Sequence, residues 1–270
     1  MNYKRLENQV AWISGGTKGI GASAALLFSR EGAKVAFTGR NINDGKAVAD
    51  KIRQEGGDAL FIPCEATDEN DIKNSVDKTI SVFGGLNILV NNAGIVDIKM
   101  LHEYTVEEWR RVIDTNVTSM FLAFKYAFPY LSSNEKSYVV NVGSISSFVG
   151  QGSTPAYTTS KGAVLQLSRS IGLDYARYGI RCNCICPGIT DTPMLHQHLD
   201  TNPDPEAHLI QRLKRVPTGT ILTPMDVAKS ILYFSCEDSA GITATSLIVD
   251  GGYLATAEWD CGLYNQEIKI

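Results

Sequence analysis

Short apolar runs alternate with longer amphipathic segments along almost the whole chain, and this alternation limits the fold more than any other feature. The amphipathic segments have helical periodicity, and several close with glycine, as helices often do. Alternating strands and helices predict right-handed βαβ units, in which helices cover both faces of a parallel sheet. The predicted strands are VAWIS at 10–14, KVAFT at 34–38, ALFIP at 59–63, NILV at 87–90, YVVNV at 138–142, IRCNCI at 180–185 and TSLIVD at 245–250.

The same pattern predicts the fold class and the domain organisation. We expect an α/β chain with a single Rossmann-like, doubly wound parallel sheet, helices on both faces, and one domain over residues 1–270. One long segment without clear sheet character, at about 191–222, is too short for a second domain. It is predicted to be a lid or substrate loop inserted into the domain.

Composition and charge exclude several classes of function. With 44% hydrophobic residues, 20% charged residues and a net charge of −4, the chain offers no electrostatic footprint for DNA or RNA. It begins with a polar segment and has no run of roughly 20 apolar residues, so no membrane partner is expected and a cytoplasmic location is predicted.

The clustered Cys182, Cys184 and Cys186 alternate along a predicted strand. We interpret them as one buried face and expect no metal site.

A glycine-rich loop follows the first predicted strand. The segment SGGTKGIG at 14–21 opens directly into an apolar helix and carries Gly15, Gly19 and Gly21. Glycines in such a loop allow unusual φ angles, close approach of a pyrophosphate and tight packing of the helix on its strand. The helix N-terminus then faces the anion. The position predicts a dinucleotide site, although G-x-x-x-G-x-G departs from the G-x-G-x-x-G fingerprint and a structural turn is the alternative.

The end of the second predicted strand bears on which dinucleotide is bound. An acidic residue there accepts the ribose hydroxyls, whereas an arginine accommodates a 2′-phosphate. Arg40 follows that strand in TGRN without a neighbouring carboxylate in the sequence, and Lys18 lies in the glycine loop. Two cations without an acid favour NADP (NADPH) as the cofactor over NAD. Solvated surface charges are the alternative interpretation of both side chains.

The stretch AYTTSK places Tyr157 and Lys161 four residues apart. On a helix this spacing puts both side chains on one face, where the ammonium would lower the pKa of the phenol towards a useful range for proton transfer. An accidental surface pair is the alternative for this spacing taken by itself.

A series of motifs between residues 8 and 253 appears in a fixed order. They are Ser14-Gly15-x-x-x-Gly19-Ile20-Gly21, Asn91-Asn92-Ala93-Gly94, Asn116 in DTNV, Ser144 in NVGSISS, Tyr157-x-x-x-Lys161, and Pro187-Gly188 followed by Thr192. Each is weak alone, but in this order they are highly specific. The chain resembles the short-chain dehydrogenase/reductase family, and among its members the bacterial hydroxysteroid and bile-acid dehydrogenases.

This resemblance implies a catalytic group of Asn116, Ser144, Tyr157 and Lys161. Tyr157 would exchange the proton with the substrate oxygen, and Ser144 would hydrogen-bond that oxygen. Lys161 would lower the pKa of Tyr157 and hold the nicotinamide ribose. Asn116, in a helix interior, would position a water that links Lys161 to solvent.

The resemblance also implies the residues that contact the cofactor. They comprise the glycine loop and its helix, the end of the second strand, the segments after the third and fourth strands, the catalytic pair, and the segment after the sixth strand. These residues are Gly15, Thr17, Lys18, Gly19, Ile20, Gly21, Arg40, Glu65, Ala66, Asn92, Gly94, Tyr157, Lys161, Pro187, Gly188, Thr190 and Thr192.

The predicted substrate pocket combines the catalytic Ser144 and Tyr157 with Ile145, Gln151, Met194 and Leu195. Further apolar residues, Phe148, Val149 and Ile189, are expected to contribute to it, so a small hydrophobic ketone or secondary alcohol is the predicted substrate partner. The histidines at 196, 198 and 208 are interpreted as polar loop residues, because a single titratable side chain gives no mechanism by itself.

The predicted function is therefore an NAD(P)-dependent oxidoreductase that interconverts a secondary alcohol and a ketone. A hydroxysteroid or bile-acid dehydrogenase is the leading interpretation, and a sugar-alcohol dehydrogenase or a 3-oxoacyl-thioester reductase is the alternative. An acidic acyl-carrier protein would need a basic patch to dock on. The 191–222 segment offers only Arg212, Lys214 and Arg215, which argues against this partner. A dinucleotide-sensing binding protein is the non-enzymatic alternative.

The C-terminal part of the chain bears on assembly. By the resemblance, the last predicted strand in TSLIVDGGY packs against another subunit, which predicts a homo-oligomer, either a dimer or a tetramer. Residues 254–270 extend beyond the usual end of the family. They are expected to cover the pocket or a neighbouring subunit, or to form a frayed tail.

Overall fold

A computed structural model describes residues 4–256 and shows a seven-stranded parallel sheet in the order β3-β2-β1-β4-β5-β6-β7. All seven strands predicted from the sequence are confirmed within one or two residues at each end, because strands buried on both faces read as continuous apolar runs. Most of the predicted C-terminal extension, from 257 onwards, lies outside the described residues. The strands are β1 Val10–Ile13, β2 Lys34–Gly39, β3 Ala59–Pro63, β4 Ile88–Asn91, β5 Ser137–Val142, β6 Ile180–Pro187 and β7 Ser246–Val249.

Helices cover both faces of the sheet, which confirms the doubly wound α/β class. One core layer joins α1, α2 and α9 to the sheet, and the other joins α3, α5 and α6. Neighbouring residues of β1 divide between the layers, with Ile13 in the first and Trp12 in the second. The helices are α1 Gly19–Arg30, α2 Ile42–Gln54, α3 Glu69–Phe83, α4 Val106–Ile113, α5 Ser119–Leu131, α6 Pro155–Asp174, α7 Pro193–Leu199, α8 Pro205–Leu213 and α9 Pro224–Phe234.

Helix α3 shows how the sequence sets the helix boundaries. The carboxylate of Asp68 accepts hydrogen bonds from the backbone N–H groups of Asn70 at 2.8 Å and Asp71 at 3.0 Å, so it caps the helix start. Gly84 ends the helix with a φ of 85°, a left-handed conformation that glycine adopts without steric cost. These local signals explain why the helix predicted after the third strand occurs as expected.

The strand order reverses between β1 and β4, and this reversal positions the site. From β1 the sheet grows one way through β2 and β3 and the other way through β4 to β7. The connections after β1 and β4 therefore leave towards opposite faces of the sheet and open a crevice at the carboxyl ends of the strands. Ligands of open α/β sheets bind at such a reversal.

Residues 191–222, hereafter the helical insert, contain α7 and α8. The insert packs around a small apolar core, formed by its own Leu195, Leu199, Leu209, Leu213 and Val216 together with Ile189 just before it. The backbone of Asp191 donates to the Leu222 carbonyl at 2.8 Å, and Leu222 N–H donates to the Ile189 carbonyl at 3.0 Å, so the two ends of the insert meet beside the sheet. Whether the insert acts as a lid remains a prediction.

Within residues 4–256, no helix combines the length and the apolar character that crossing a membrane requires.

Candidate active site

The glycine loop between β1 and α1 is held against the end of β4. The Ser14 hydroxyl accepts hydrogen bonds from the backbone N–H groups of Asn92 at 2.9 Å and Ala93 at 3.0 Å. The Asn92 side chain donates in return to the carbonyls of Ser14 at 3.0 Å and Gly15 at 3.1 Å. Asn92, predicted to contact the cofactor, thus braces the loop while it also lines the crevice.

The loop has the geometry of an anion cradle. Gly15 and Gly19 have φ values of 65° and 56°, which L side chains rarely adopt. A Cβ atom at Gly21 would overlap the Gly15 carbonyl, so α1 packs tightly on the loop. Helix α1 starts at Gly19 without a side-chain cap, and Gly19 and Ile20 line the crevice. Uncapped N–H groups of a helix start fit the pyrophosphate of a dinucleotide.

Ser144, Tyr157 and Lys161 meet in one cavity of about 310 Å³ that also contains Gly15 and Gly19 of the loop. Ser144 follows β5 and opens a single 3₁₀ turn, where its hydroxyl accepts from Ser146 N–H at 3.1 Å. Tyr157 and Lys161 lie four residues apart on α6, as the sequence predicts. A strand end and one helix face thus bring the three predicted groups together.

Lys161 is fixed by the main chain of the sheet. Its Nζ donates to the Val142 carbonyl at 2.8 Å and lies 5.6 Å from the centroid of the Tyr157 ring. Its side chain is buried, and burial lowers the pKa of Lys161 to about 8. Lys161 therefore carries a charge at neutral pH and loses it in mildly alkaline solution.

The pKa of Tyr157 differs from the sequence prediction. The half-buried phenol has a pKa above its ordinary value because burial disfavours phenolate, although a hydrogen bond with Ser144 partly opposes this. Burial outweighs the lowering expected from Lys161, whose ammonium is hydrogen-bonded to the Val142 carbonyl. The phenol is therefore protonated at neutral pH.

Asn116 lies in a π-helical turn, Asp114–Thr118, between α4 and α5. Its side-chain oxygen accepts from Ile95 N–H at 2.8 Å, and its amide nitrogen donates to the Ile95 carbonyl and the Ser160 hydroxyl, both at 2.9 Å. The side chain thus clamps the segment after β4 to α6. The predicted water-positioning role stays a prediction, since the side-chain oxygen accepts one hydrogen bond here and has capacity for a second.

A second cavity of about 250 Å³ continues the crevice towards the end of β2 and shares Gly15, Ala93 and Gly94 with the first. The remaining predicted cofactor residues fall into two groups, apart from Gly21, which packs beneath the loop. In the second cavity lie Thr17, Arg40, Glu65 and Ala66, and in the first lie Lys18, Pro187, Gly188, Thr190 and Thr192.

Carboxylates lie closer to the two predicted phosphate-binding cations than the sequence suggests. Lys18 Nζ is 2.9 Å from Asp44 Oδ2, and Arg40 Nη1 is 3.8 Å from Glu65 Oε2. The expectation of a corner without an acid is wrong, because Glu65 comes in from the segment after β3 and Asp44 lies in the first turn of α2, only four residues after Arg40. Arg40 is 73% exposed and remains free to reorient.

The predicted substrate residues Ile145, Gln151, Met194 and Leu195 all line the cavity that contains Tyr157, as does Ile189. Phe148 and Val149 are exposed and do not line it. The lining residues that we did not predict include two titratable ones, His198 of α7 and Arg212 of α8. The sequence does contain a signal that Arg212 faces inward. It follows Leu209 by three residues, on the same helix face, and immediately precedes Leu213.

The three cysteines of β6 are buried, as predicted from their alternation. The Sγ atoms of Cys184 and Cys186 lie 3.6 Å apart. A Cβ atom at Gly143 would press on both sulfurs, so the absence of a side chain there lets the turn that starts at Ser144 lie directly on β6.

Comparison with known proteins identifies the family. Residues 15–254 match a family model described as enoyl-(acyl carrier protein) reductase. The chain belongs to the short-chain dehydrogenase/reductase family. Members of this family are oxidoreductases that generally use NAD or NADP.

Relatives and a solved structure cover nearly the whole chain. Cyclopentanol dehydrogenase from Comamonas testosteroni is 34% identical over 93% of this chain and 99% of its own length. 2-(S)-hydroxypropyl-CoM dehydrogenase 3 from Xanthobacter autotrophicus is 35% identical over 93% of this chain and 98% of its own length. The ligand-free structure of aldohexose dehydrogenase from Thermoplasma acidophilum has a TM-score of 0.87 at 30% identity and covers 96% of this chain and 99% of that one.

Proposed function

We propose that this protein is an NADP-preferring dehydrogenase/reductase that interconverts a secondary alcohol and a ketone. The observation that carries the proposal is the convergence of Ser144, Tyr157 and Lys161 on one cavity that opens onto the glycine loop. Relatives named as alcohol dehydrogenases support the reaction class.

The residues of the chain have distinct roles in this reaction. Bound NADPH supplies the hydride for ketone reduction, and NADP⁺ accepts it in alcohol oxidation. Tyr157 gives its phenolic proton to the substrate oxygen as the carbonyl carbon gains the hydride, so the phenol O–H bond breaks and the alcohol O–H bond forms. The phenol is protonated at neutral pH and therefore has a proton to donate. Ser144 donates a hydrogen bond to the same oxygen.

Lys161 and Asn116 support this proton transfer in different ways. The ammonium of Lys161 stabilises the phenolate that remains after the proton has left, because an opposite charge nearby favours the ionised form. Its bond to Val142 uses one of three N–H donors, which leaves two for the ribose hydroxyls of the cofactor. Asn116 holds α6 against the segment after β4 and so fixes where Lys161 stands.

The preference for NADP rests on Lys18 and Arg40. Both have carboxylate neighbours, but surface ion pairs contribute only about 0–1 kcal/mol. A hydrogen bond to a charged group contributes about 1.5–3 kcal/mol, so a 2′-phosphate competes well for the exposed Arg40. NAD lacks that phosphate and therefore forgoes this contact with Arg40.

The substrate is proposed to have an apolar body, since Ile145, Ile189, Met194 and Leu195 form much of the wall near Tyr157. A hydroxysteroid or bile acid stays our specific prediction. The named relatives act on cyclopentanol or 2-hydroxypropyl-CoM, so smaller alcohols belong in the same test.

A homo-oligomer is also proposed. Strand β7 ends the sheet in the described chain, and Ile248 on it is 42% exposed. An apolar residue on a sheet edge is suited to pairing with a second subunit. Light scattering after size exclusion tests this, and a monomer at micromolar concentration would contradict it.

The function is tested with a panel of ketones and alcohols that includes steroids, bile acids, cyclic ketones, sugars and β-ketoacyl thioesters. Each compound is incubated with protein and NADPH or NADH, and the decay of the reduced-nicotinamide absorbance is followed. We expect turnover of at least one ketone, faster with NADPH. Tight NADPH binding without turnover of any compound would instead favour a dinucleotide sensor, and equal rates with NADH would defeat the cofactor preference.

A further inference from the structure

Arg212 of α8 has a buried nitrogen that no group within residues 4–256 satisfies. Its Nη1 is shielded from solvent and makes no hydrogen bond in this part of the chain. Arg111, in contrast, makes two hydrogen bonds to Asp97 at 2.6 and 2.8 Å. A buried cationic nitrogen without a partner costs stability, so its retention inside a cavity indicates a partner beyond residues 4–256.

A purely structural role explains the position of Arg212 poorly. A cation in the last turn of a helix interacts favourably with the helix dipole, but the exposed Lys214 and Arg215 next to it serve this purpose without burial. Leu209 and Leu213 anchor α8 in the small core of the helical insert and thereby turn the intervening face inward. Arg212 consequently lines the cavity that contains Tyr157.

The neighbours of Arg212 leave its charge uncompensated. His198 of α7 lines the same cavity, and its pKa is lowered by burial and by the nearby Arg212 and His208, so it is neutral at neutral pH. It adds a neutral hydrogen-bonding group, not a second charge. Arg212 forms no ion pair within residues 4–256, and Asp191, just before α7, is exposed and hydrogen-bonded to His196 at 2.7 Å. This corner therefore has one positive charge and suits a monoanion.

We propose that Arg212 binds a carboxylate or sulfonate of the substrate, so that the substrate is a secondary alcohol or ketone with an anionic group remote from the reacting carbon. This proposal rests on the proposed function, because the reacting carbon must lie at Tyr157. The apolar wall formed by Ile189, Met194 and Leu195 would contact the hydrocarbon between the two ends of such a molecule.

The test compares keto acids of increasing chain length with their methyl esters and with the corresponding keto sulfonates. We expect kcat/KM for the best acid or sulfonate to exceed that of its neutral counterpart about 100-fold, since a charge-assisted hydrogen bond is lost in the ester. In Arg212→Met the ratio of acid to ester should fall to about one, and Arg212→Lys should restore part of it. The matched control is Arg215→Met, which removes a neighbouring exposed cation and should keep the wild-type ratio.

Two further measurements separate the alternatives. The melting temperature of Arg212→Met should equal or exceed that of the wild type, because an unpaired buried charge is removed; a clear decrease would indicate a structural role and overturn the proposal. An increase in KM for NADPH of the same size with acid and ester would assign Arg212 to the cofactor and also overturn it. So would an acid-to-ester ratio near one in the wild type.

Failure of the proposed function is distinguishable from failure of this inference. If no ketone is turned over, calorimetric binding of the keto acids to the protein with NADP⁺ still reports on Arg212. Binding of the acid that exceeds binding of the ester and is lost in Arg212→Met supports the anion site. Equal binding of acid and ester overturns it.

Discussion

The catalytic edge of the sheet and the helical insert line the same cavity but are built differently. At the edge, Lys161 is bonded to Val142, and Asn116 holds Ile95 and Ser160. In the insert, Arg212 keeps a buried nitrogen that has no partner within residues 4–256. The difference suggests that the fold itself fixes the proton-transfer groups, whereas recognition of the substrate depends on polar groups that the insert leaves unpaired.

The two regions also differ in how they are held in the protein. Ser144 stands just after β5, and Tyr157 and Lys161 stand on α6; β5 and α6 belong to the main sheet and its helical layer. The insert has a separate small core, and the hydrogen bonds of Asp191 and Leu222 hold its two ends together beside the sheet. Regions with few buried apolar contacts open more easily than the global core. We therefore expect substitutions in the two regions to have separable effects.

Among the substitutions that compare the two regions, the largest effect is expected for Lys161→Met, which leaves the sheet intact but removes the charge that stabilises phenolate. Ketone reduction should fall about 10³-fold, within the range for general acid–base groups. In the wild type, reduction should decline above pH 8 as Lys161 loses its proton. Steady-state rates across pH measure both effects, and Lys125→Met, at an exposed lysine that contacts Glu69, is the control.

The same substitution makes a prediction for stability. The pKa of Lys161 is about 8 in the folded protein and 10.5 when unperturbed, so the unfolded chain holds more protons between these values and burial of the charge destabilises the fold below pH 8. The wild type should gain stability relative to Lys161→Met from pH 8 to about pH 10, by up to about 3 kcal/mol. Denaturant unfolding at several pH values measures this, and a constant difference would contradict it.

A matched pair of leucines sharpens the comparison of the two regions. Leu89 of β4 and Leu213 of α8 are both fully buried. Leu89→Ala should lower the global free energy of unfolding by about 2–5 kcal/mol, as core truncations do. Leu213→Ala should change it less and should instead speed proteolysis and hydrogen exchange within residues 191–222 and raise the substrate KM. Equal global losses for both variants would show that the insert unfolds together with the sheet.

The smallest effect concerns the second cavity. Arg40→Ser should lower kcat/KM for NADPH about tenfold and leave the value for NADH nearly unchanged, because an exposed, partly screened contact with the 2′-phosphate is lost. Arg53→Ser, at an exposed arginine of α2 paired with Asp50, serves as the control. Parallel losses with both nucleotides would show that Arg40 supports the fold of this corner and does not select the phosphate.

The sequence predicts local features of this protein well and contacts between distant segments poorly. Each of the seven strands is an apolar run in the sequence. Helix geometry alone predicts that Tyr157 and Lys161, four residues apart, lie on one helix face. The acids beside Lys18 and Arg40, and the partners of Asn116, come from remote segments that only the folded chain brings together. The spacing of residues along the sequence gives no information about such contacts.

The electrostatics of the catalytic pair show a further limit of spacing as a guide. A separation of four residues on a helix places Lys161 beside Tyr157. The pKa values of both side chains also depend on their burial and on the direction of the ammonium. Burial raises one pKa and lowers the other, and Val142 takes a hydrogen bond from the lysine. In the helical insert, the inward position of Arg212 depends on the packing of α7 against α8, which cannot be predicted from the sequence pattern.

The central claim is that the proton of the substrate oxygen passes through the phenol of Tyr157, and its most direct test is single-turnover reduction of a ketone by Tyr157→Phe loaded with NADPH. We predict a loss of about 10²–10⁴-fold in the rate of nicotinamide oxidation with unchanged NADPH affinity, while Tyr178→Phe, at an exposed tyrosine that packs on Phe128, reacts like the wild type. A Tyr157→Phe rate within about threefold of the wild type, well below the contribution of a general acid, would contradict the account.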